Sequence, residues 1–267
     1  MKLWVPFLVI AAADALALAA MLAVRARSPR GGYFSDTQRA SGALAATGTV
    51  FAVMVGFAFL IAFERYDSAR NAAADEASAA TSLFHTAELF SGPVGHELQG
   101  SVVCYARSVV NSEWPAMAEG HSSRLVDSWS TQLETRLAHV RPRGFGQGEA
   151  ELHWFSQTDA RQKARSRRLD ESSAGIPTTI WLLLILAGTA VIGFVFVFAD
   201  SAERRNAQLA MVLAVTTAVT ASLLMIGFLD LPYGNHAGSI KPSAMRATLK
   251  TIEHERGGRP VTPCSRT

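Results

Sequence analysis

The sequence has 267 residues, of which 49% are hydrophobic and 18% are charged, whereas soluble domains have roughly 25% charged residues. This balance excludes an ordinary soluble domain and indicates an integral membrane protein. The net charge of +3 is compatible with nucleic acid, but the basic residues gather beside the apolar segments. We therefore expect membrane lipid, and no nucleic acid, as a partner.

Four apolar segments approach the roughly 20 residues that a helix needs to cross a bilayer. They are Trp4 to Val24, Ser41 to Phe63, Ile176 to Ala199 and Ala207 to Leu231. The first segment, which follows Lys2, is longer than the roughly 7 to 15 residues of a secretory signal core. We therefore predict four transmembrane helices.

Asp14 lies midway along the first span. An unpaired carboxylate there costs about 2.5 to 3.5 kcal/mol on insertion scales, so we expect its side chain to face protein or water. Two alternatives remain: the carboxylate lines an ion or proton path, or it forms a hydrogen bond with a neighbouring helix. The second is slightly favoured.

The second span changes character along its length. Its first half, Ser41 to Thr49, is dense in small residues, which let helices approach closely in lipid. Its second half places Val53, Phe57 and Leu60 on one helical stripe. Such a helix can form a vestibule and an apolar constriction around a symmetry axis. The alternative is a four-helix monomer in which the stripe is core, and the pattern alone favours that alternative.

Charged residues follow this span directly. No Gly or Pro interrupts Val50 to Leu89, so we predict one helix that continues from lipid into water. Glu64, Arg65 and Asp67 would stand at the entrance of a pore, although such charges also anchor helices at the headgroups.

The segment 64–175 is predicted to be a helical domain between the transmembrane helices of 1–63 and those of 176–231. After the continuation of span two, helices are predicted from about Gly95 to Trp114, ending at Pro115, and then over about 123–140 and 149–172. We interpret "GFGQGE", Gly144 to Glu149, as a flexible loop, because no strand precedes it. The predicted fold is all-α.

The last segment, 232–267, is predicted to be a partly disordered tail with one short helix after Lys241. Cys104 and Cys264 are the only cysteines, and we interpret them as two unrelated thiols. The sequence has none of the motifs HExxH, GxSxG or GxxxxGK[ST], so we expect no enzyme, no cofactor and no metal site.

Four spans put both termini on one side of the membrane. Lys and Arg near the span ends number eleven on the terminal side and six on the other, which favours cytoplasmic termini and a cytoplasmic helical domain. The eleven are Lys2, Arg65, Arg70, Arg161, Lys163, Arg165, Arg167, Arg168, Lys241, Arg246 and Lys250, and the six are Arg25, Arg27, Arg30, Arg39, Arg204 and Arg205.

Several segments resemble, in order and spacing, the bestrophin-like membrane proteins of unknown function that are common in bacteria. They are "GFAFLIAFERYDSARNAAADEA", "YARSVVNSEWPAMAEG", "IPTTIWLLL" and "LDLPYGN", and the resemblance covers roughly Thr47 to Met245. The "EWP" and "LDLPYG" pieces are the most distinctive. The family is distantly similar to bestrophins, pentameric anion channels whose second transmembrane helix lines the pore.

"TVFAVMVGF" looks like the bestrophin neck segment. Gly56 and Phe57 match its Gly-Phe pair, and Thr49 and Val53 fall at its other two neck positions. The sequence departs from that pattern because Val53 replaces an expected aromatic residue and Thr49 is polar, which implies a wider or wetter neck. The acidic cluster that binds calcium in bestrophins is missing from the tail, so calcium gating is not implied.

These observations predict a four-span protein of the bacterial inner membrane that forms a homo-oligomer, with five subunits implied by the resemblance. The hypothesis is passive conduction of inorganic ions, in particular anions, past a neck of Thr49, Val53 and Phe57. The alternative is a non-conducting scaffold or sensor, in which the region of Trp114, Trp129 and Trp154 would present an exposed face to a partner.

Overall fold

A computed structural model describes residues 4–29, 33, 37–139, 145–173, 175–256 and 264. These residues form α1 (Trp4–Arg27), α2 (Thr37–Glu88), α3 (Pro93–Ser108), α4 (Trp114–Ala118), α5 (Arg124–Thr135), α6 (Phe145–Asp170), α7 (Thr178–Val197), α8 (Arg205–Asp230) and α9 (Ser243–Glu255). A π-helical turn, Val109–Glu113, joins α3 to α4, and a 3₁₀ turn, Arg136–His139, follows α5. No strand occurs in the described ranges, and the all-α prediction is confirmed.

The chain divides into two compact units. The membrane unit comprises Met1–Arg65, Ala174–Asp230 and His236–Gly238, and the helical unit comprises Tyr66–Ser173, Leu231–Asn235 and Ser239–Thr267. Among the described residues, four helices, α1, α2, α7 and α8, are long and apolar enough to cross a membrane, as the sequence predicts.

In the membrane unit, α8 packs against both α1 and α7. Gly188 of α7 permits one of the closest contacts, because an added Cβ would lie 2.9 Å from Cγ1 of Val219 and 3.3 Å from the Phe51 ring. Arg25, at the end of α1, donates to the carbonyl oxygens of Asp200 at 2.7 Å and Glu203 at 2.6 Å. This side chain therefore fixes the end of α1 to the α7–α8 connection.

The helical unit has one large apolar core. Trp114, Trp129 and Trp154 belong to it, with exposed fractions of 9%, 6% and 0%. The indole N–H groups of Trp114 and Trp154 donate to the carbonyl oxygens of Ile240 at 3.0 Å and Leu133 at 3.1 Å. The exposed face that the scaffold-or-sensor alternative expects in this region is therefore not formed by these tryptophans, because their rings belong to the core.

Two boundaries differ from the sequence-based prediction. The helix that was expected to end at Pro115 ends instead at Ser108, and the π-helical turn then leads into α4. Pro115 is accommodated in the first turn of α4, where its missing N–H is not needed. α6 begins at Phe145, so residues 145–149 of the expected glycine loop are helical. The predicted break at 141–144 lies outside the described residues, as does most of the tail beyond Arg256.

The two cysteines are not unrelated thiols. Cys104 and Cys264 form a disulfide across 160 residues, with a Cα–Cα distance of 5.4 Å. Their sequence spacing gave no sign of the pairing, because it depends on where the tail returns to α3. That part of the prediction is wrong.

A charged network lies inside the helical unit. Arg168 of α6 donates to Glu76 of α2 and to Glu113 of the π-helical turn, and Arg165 donates to Glu113 as well. Tyr105 of α3 donates to Glu76 at 2.6 Å. Apart from Arg165, which is 9% exposed, these side chains are fully buried. The network therefore joins α2, α3, α6 and the π-helical turn through charges that are almost entirely shielded from water.

The two arginines set the charge state of Glu113. Burial raises the pKa of the Glu113 carboxyl, but the hydrogen bonds and positive charges of Arg165 and Arg168 outweigh burial and hold that pKa below its ordinary value. Because the folded-state pKa is lower than the unfolded one, this stabilisation is fully present above the unfolded pKa. It is lost as the pH falls through the folded pKa.

Gly188→Ala should destabilise the membrane unit by about 1–3 kcal/mol, because the added methyl group would collide with Val219. The measurement is thermal unfolding of the detergent-solubilised protein. Gly193→Ala is the control, since Gly193 lies on the same helix and an added Cβ there meets nothing within 4 Å. Equal melting temperatures for the two variants would contradict the proposed close contact.

Glu113→Gln should destabilise the helical unit by about 3–5 kcal/mol at neutral pH, because it leaves buried arginine charge uncompensated. The difference between wild type and variant should shrink as the pH falls through the folded-state pKa of Glu113, which lies below its ordinary value, because the wild-type carboxyl is then protonated. Thermal melts over a pH series measure both effects. Glu119→Gln, at an exposed position nearby, is the control, and a pH-independent difference would contradict the assignment.

Candidate functional site

α2 has a packed face and an open face within the membrane unit. Phe51, Ala58 and Ala62 are 8%, 4% and 0% exposed and contribute to the apolar clusters formed with α7 and α8. At about 100° per residue, the stripe of Thr49, Val53 and Phe57 lies roughly 160° away from these residues. The helix therefore turns this stripe away from the rest of its own subunit.

The stripe is exposed along its length. Val53, Phe57 and Leu60 are 52%, 65% and 51% exposed, and Thr49 is exposed as well. The interpretation of the stripe as core of a four-helix monomer is therefore wrong. A role in a pore neck stays a prediction.

The hydroxyl of Thr49 already has a hydrogen-bond acceptor within α2. It donates to the carbonyl oxygen of Ala45 one turn earlier, at 2.8 Å. This bond occupies the only proton of the side chain. A neck at this level would therefore offer hydroxyl oxygens and methyl groups to an ion, but no free O–H donor.

The half of α2 that contains the small residues is open as well. A Cβ added to Gly42, Gly48 or Gly56 would meet nothing within 4 Å. These glycines are therefore not required for packing inside the subunit. The space beside them is available to another helix, to lipid or to water.

The three charges predicted at the entrance do not share one environment. Glu64 and Asp67 are exposed, and their spacing places them on the same side of α2 as Phe57 and Leu60. Arg65 instead lies against Gly175, where its Nε is 2.0 Å from the position that a Cβ would take. The open stripe therefore continues into two carboxylates without the neighbouring guanidinium.

Asp14 contacts a second helix. The hydroxyl of Thr217 on α8 donates to its Oδ2 at 2.8 Å, which is the contact that the helix-pairing alternative predicts. Its other oxygen, Oδ1, is buried and has no hydrogen-bond partner among the described residues. A place on an ion path stays a prediction for this residue.

Asp230, the last residue of α8, is a polar residue that the sequence analysis missed. It is 3% exposed, and its Oδ1 accepts hydrogen bonds from the backbone N–H groups of Gly175 at 3.0 Å and Ile176 at 2.9 Å. Its Oδ2 accepts a hydrogen bond from the indole of Trp181 at 3.3 Å. The available signal was an acidic residue at the end of a span, inside the distinctive "LDLPYG" segment.

Comparisons with solved structures show the same fold. A variant of the bacterial bestrophin homolog from Klebsiella pneumoniae superposes with a TM-score of 0.68 at 12% identity, covering 94% of this chain and 99% of that one. The structure of that homolog phased with zinc has a TM-score of 0.65 at 12% identity, covering 96% and 98%. No curated protein sequence matches the chain.

The sequence also matches a family profile, that of the Bestrophin-like domain, over residues 11–245. This range includes α1 from residue 11 onward, the whole of α2, α7 and α8, the open stripe of α2, Asp14 and Asp230. The profile covers most of the chain and confirms the resemblance seen in the motifs. The chain belongs to the bestrophin-like family of membrane proteins.

Proposed function

We propose that this protein forms a homo-oligomeric ion channel in which copies of α2 surround a central path. The observation that carries the proposal is the open stripe of Thr49, Val53 and Phe57, which lies opposite the packed face of the helix. A cyclic arrangement of identical subunits brings one such stripe from each copy to a shared axis. Membership of the bestrophin-like family supports this arrangement.

The neck would control conduction by its wetting. Val53 and Phe57 supply apolar surface, and an ion that passes between apolar side chains must lose part of its hydration shell. A narrow apolar ring expels water and is closed, whereas a slightly wider one fills with water and conducts. Thr49 adds one ring of hydroxyl oxygens on the side of the neck where the small residues lie.

Both anions and cations are candidates for the conducted ion. The resemblance to bestrophins implies anions. The position of Glu64 and Asp67 on the open side of α2 favours cations instead, because rings of carboxylates attract cations at a channel mouth and Arg65 is turned toward Gly175. The sign of the reversal potential under a salt gradient decides between them.

The orientation proposed here places the termini and the helical unit in the cytoplasm of a bacterial cell, with the four spans in the inner membrane. The excess of Lys and Arg on the terminal side supports it. Three of those cations, Arg161, Arg165 and Arg168, are at least nine-tenths buried inside the helical unit. These arginines nevertheless count in the positive-inside rule, because that rule depends on the number of Lys and Arg residues near the span ends.

Phe57→Ala and Val53→Ala should each raise the unitary conductance or the open probability in planar bilayers, because each removes apolar surface from the neck. Leu186→Ala is the matched control, since Leu186 lies on α7 and is 68% exposed, close to the 65% of Phe57. Absence of current from the wild type and from both α2 variants, under gradients of anions and cations, would reject the proposal.

The oligomeric state provides a second, independent prediction. Native mass spectrometry in mild detergent should show one closed ring, with five copies expected from the resemblance to bestrophins. A monomer would leave the stripe without partners and no axis for a pore. That result would favour the non-conducting alternative, in which the helical unit binds another protein.

A further inference from the structure

The two most distinctive segments of the sequence meet at a cleft of about 530 Å³. Trp114 and Pro115 of "EWP" line it together with Tyr233 and Gly234 of "LDLPYG". All residues of its lining belong to the helical unit, and none belongs to the open stripe of α2. Its volume falls within the roughly 300–1,000 Å³ that is usual for small-molecule sites.

The buried part of the lining is apolar and held in place. The rings of Trp114 and Tyr233 are buried and meet edge to face, with centroids 5.5 Å apart. The indole N–H of Trp114 donates to the carbonyl oxygen of Ile240 at 3.0 Å, and the hydroxyl of Tyr233 donates to that of Ala69 at 2.6 Å. The guanidinium of Arg168 lies 5.0 Å from the centre of the Trp114 ring. Because both ring donors are in use, the rings offer a ligand mainly apolar contact.

The charged and amide side chains of the lining are exposed: Lys241, Arg246, Glu119 and Asn235. Two cations against one carboxylate leave the cleft with one net positive charge. The guanidinium of Arg246 has no hydrogen-bond or ion-pair partner among the described residues. The ammonium of Lys241 donates to Oγ of Ser239 at 2.8 Å, which uses one of its three protons. Both cations therefore have donors available to a ligand.

We propose that this cleft binds a small organic monocarboxylate with an apolar body. The planar guanidinium of Arg246 matches a carboxylate with two parallel hydrogen bonds, and the aromatic lining covers the apolar body. An inorganic anion would lose hydration against the apolar lining without compensation, and Glu119 repels a second negative charge. The proposal depends neither on ion conduction nor on the orientation of the chain in the membrane.

Fluorine NMR with para-fluorobenzoate as the probe tests the ligand class. The full chain in mild detergent should broaden the probe resonance saturably, and unlabelled benzoate should reverse the broadening. Acetate lacks the apolar body and benzamide lacks the charge, so each should compete roughly tenfold more weakly than benzoate. Competition by sulfate that equals that of benzoate would indicate a site for inorganic anions and would overturn the proposal.

Substitutions of exposed charges locate the bound probe. Arg246→Gln should weaken binding roughly tenfold, because it removes charge-assisted hydrogen bonds. Glu119→Gln should strengthen binding roughly twofold, because it removes an exposed like charge. Lys250→Gln is the matched control, since Lys250 is an exposed cation of the same helix, α9, outside the cleft. Equal affinities of the Arg246 and Lys250 variants would place the probe elsewhere, in the micelle or the ion path, and would overturn the site.

A change of space without a change of charge tests the cleft itself. Ala118 is an exposed residue of the lining, so Ala118→Phe should fill the cleft and leave the melting temperature close to that of the wild type. This variant should lose the saturable broadening of para-fluorobenzoate. Ala118→Ser is the control, because it leaves the space open, and it should bind like the wild type. Retained binding by Ala118→Phe, or no saturable broadening with the wild type, would overturn the proposal.

Discussion

The arrangement of the membrane unit depends on how α2 distributes its two faces. On one face, Phe51, Ala58 and Ala62 pack inside the subunit, and the opposite face carries large apolar side chains that are more than half exposed. In lipid, apolar side chains alone do not drive helices together, since lipid tails are equally apolar. The small residues of the first half of α2 are therefore the part of the helix that favours close approach to another helix.

The membrane-spanning helices could be predicted from the sequence because their signal is local. Each span needs only a long apolar run, and the exit of α2 needs only the absence of Gly and Pro. Stripe positions such as Val53 and Phe57 also follow from helical spacing alone. Which side of the helix stays open could not be predicted, because that depends on where α7 and α8 pack against it.

The features that were missed depend on contacts between distant parts of the chain. The disulfide requires Cys264 to lie beside α3, and the hydrogen bonds of Asp230 require the chain at Gly175 to lie beside the end of α8. The π-helical turn ends at Glu113, whose carboxylate is buried against two arginines of α6. Helical propensity and the presence of Pro115 contain no information about these partners.

Asp230 has a mechanical consequence for the membrane unit. The Asp230 carboxylate accepts hydrogen bonds from the backbone N–H groups of Gly175 and Ile176, just before α7, and from the indole of Trp181. These bonds attach the start of α7 to the end of α8. Gly188 of α7 packs closely against Val219 of α8 farther along the same pair of helices. These two contacts hold α7 and α8 together at two levels. We therefore expect a change in bilayer thickness to be met by tilting of the pair and not by sliding of one helix past the other.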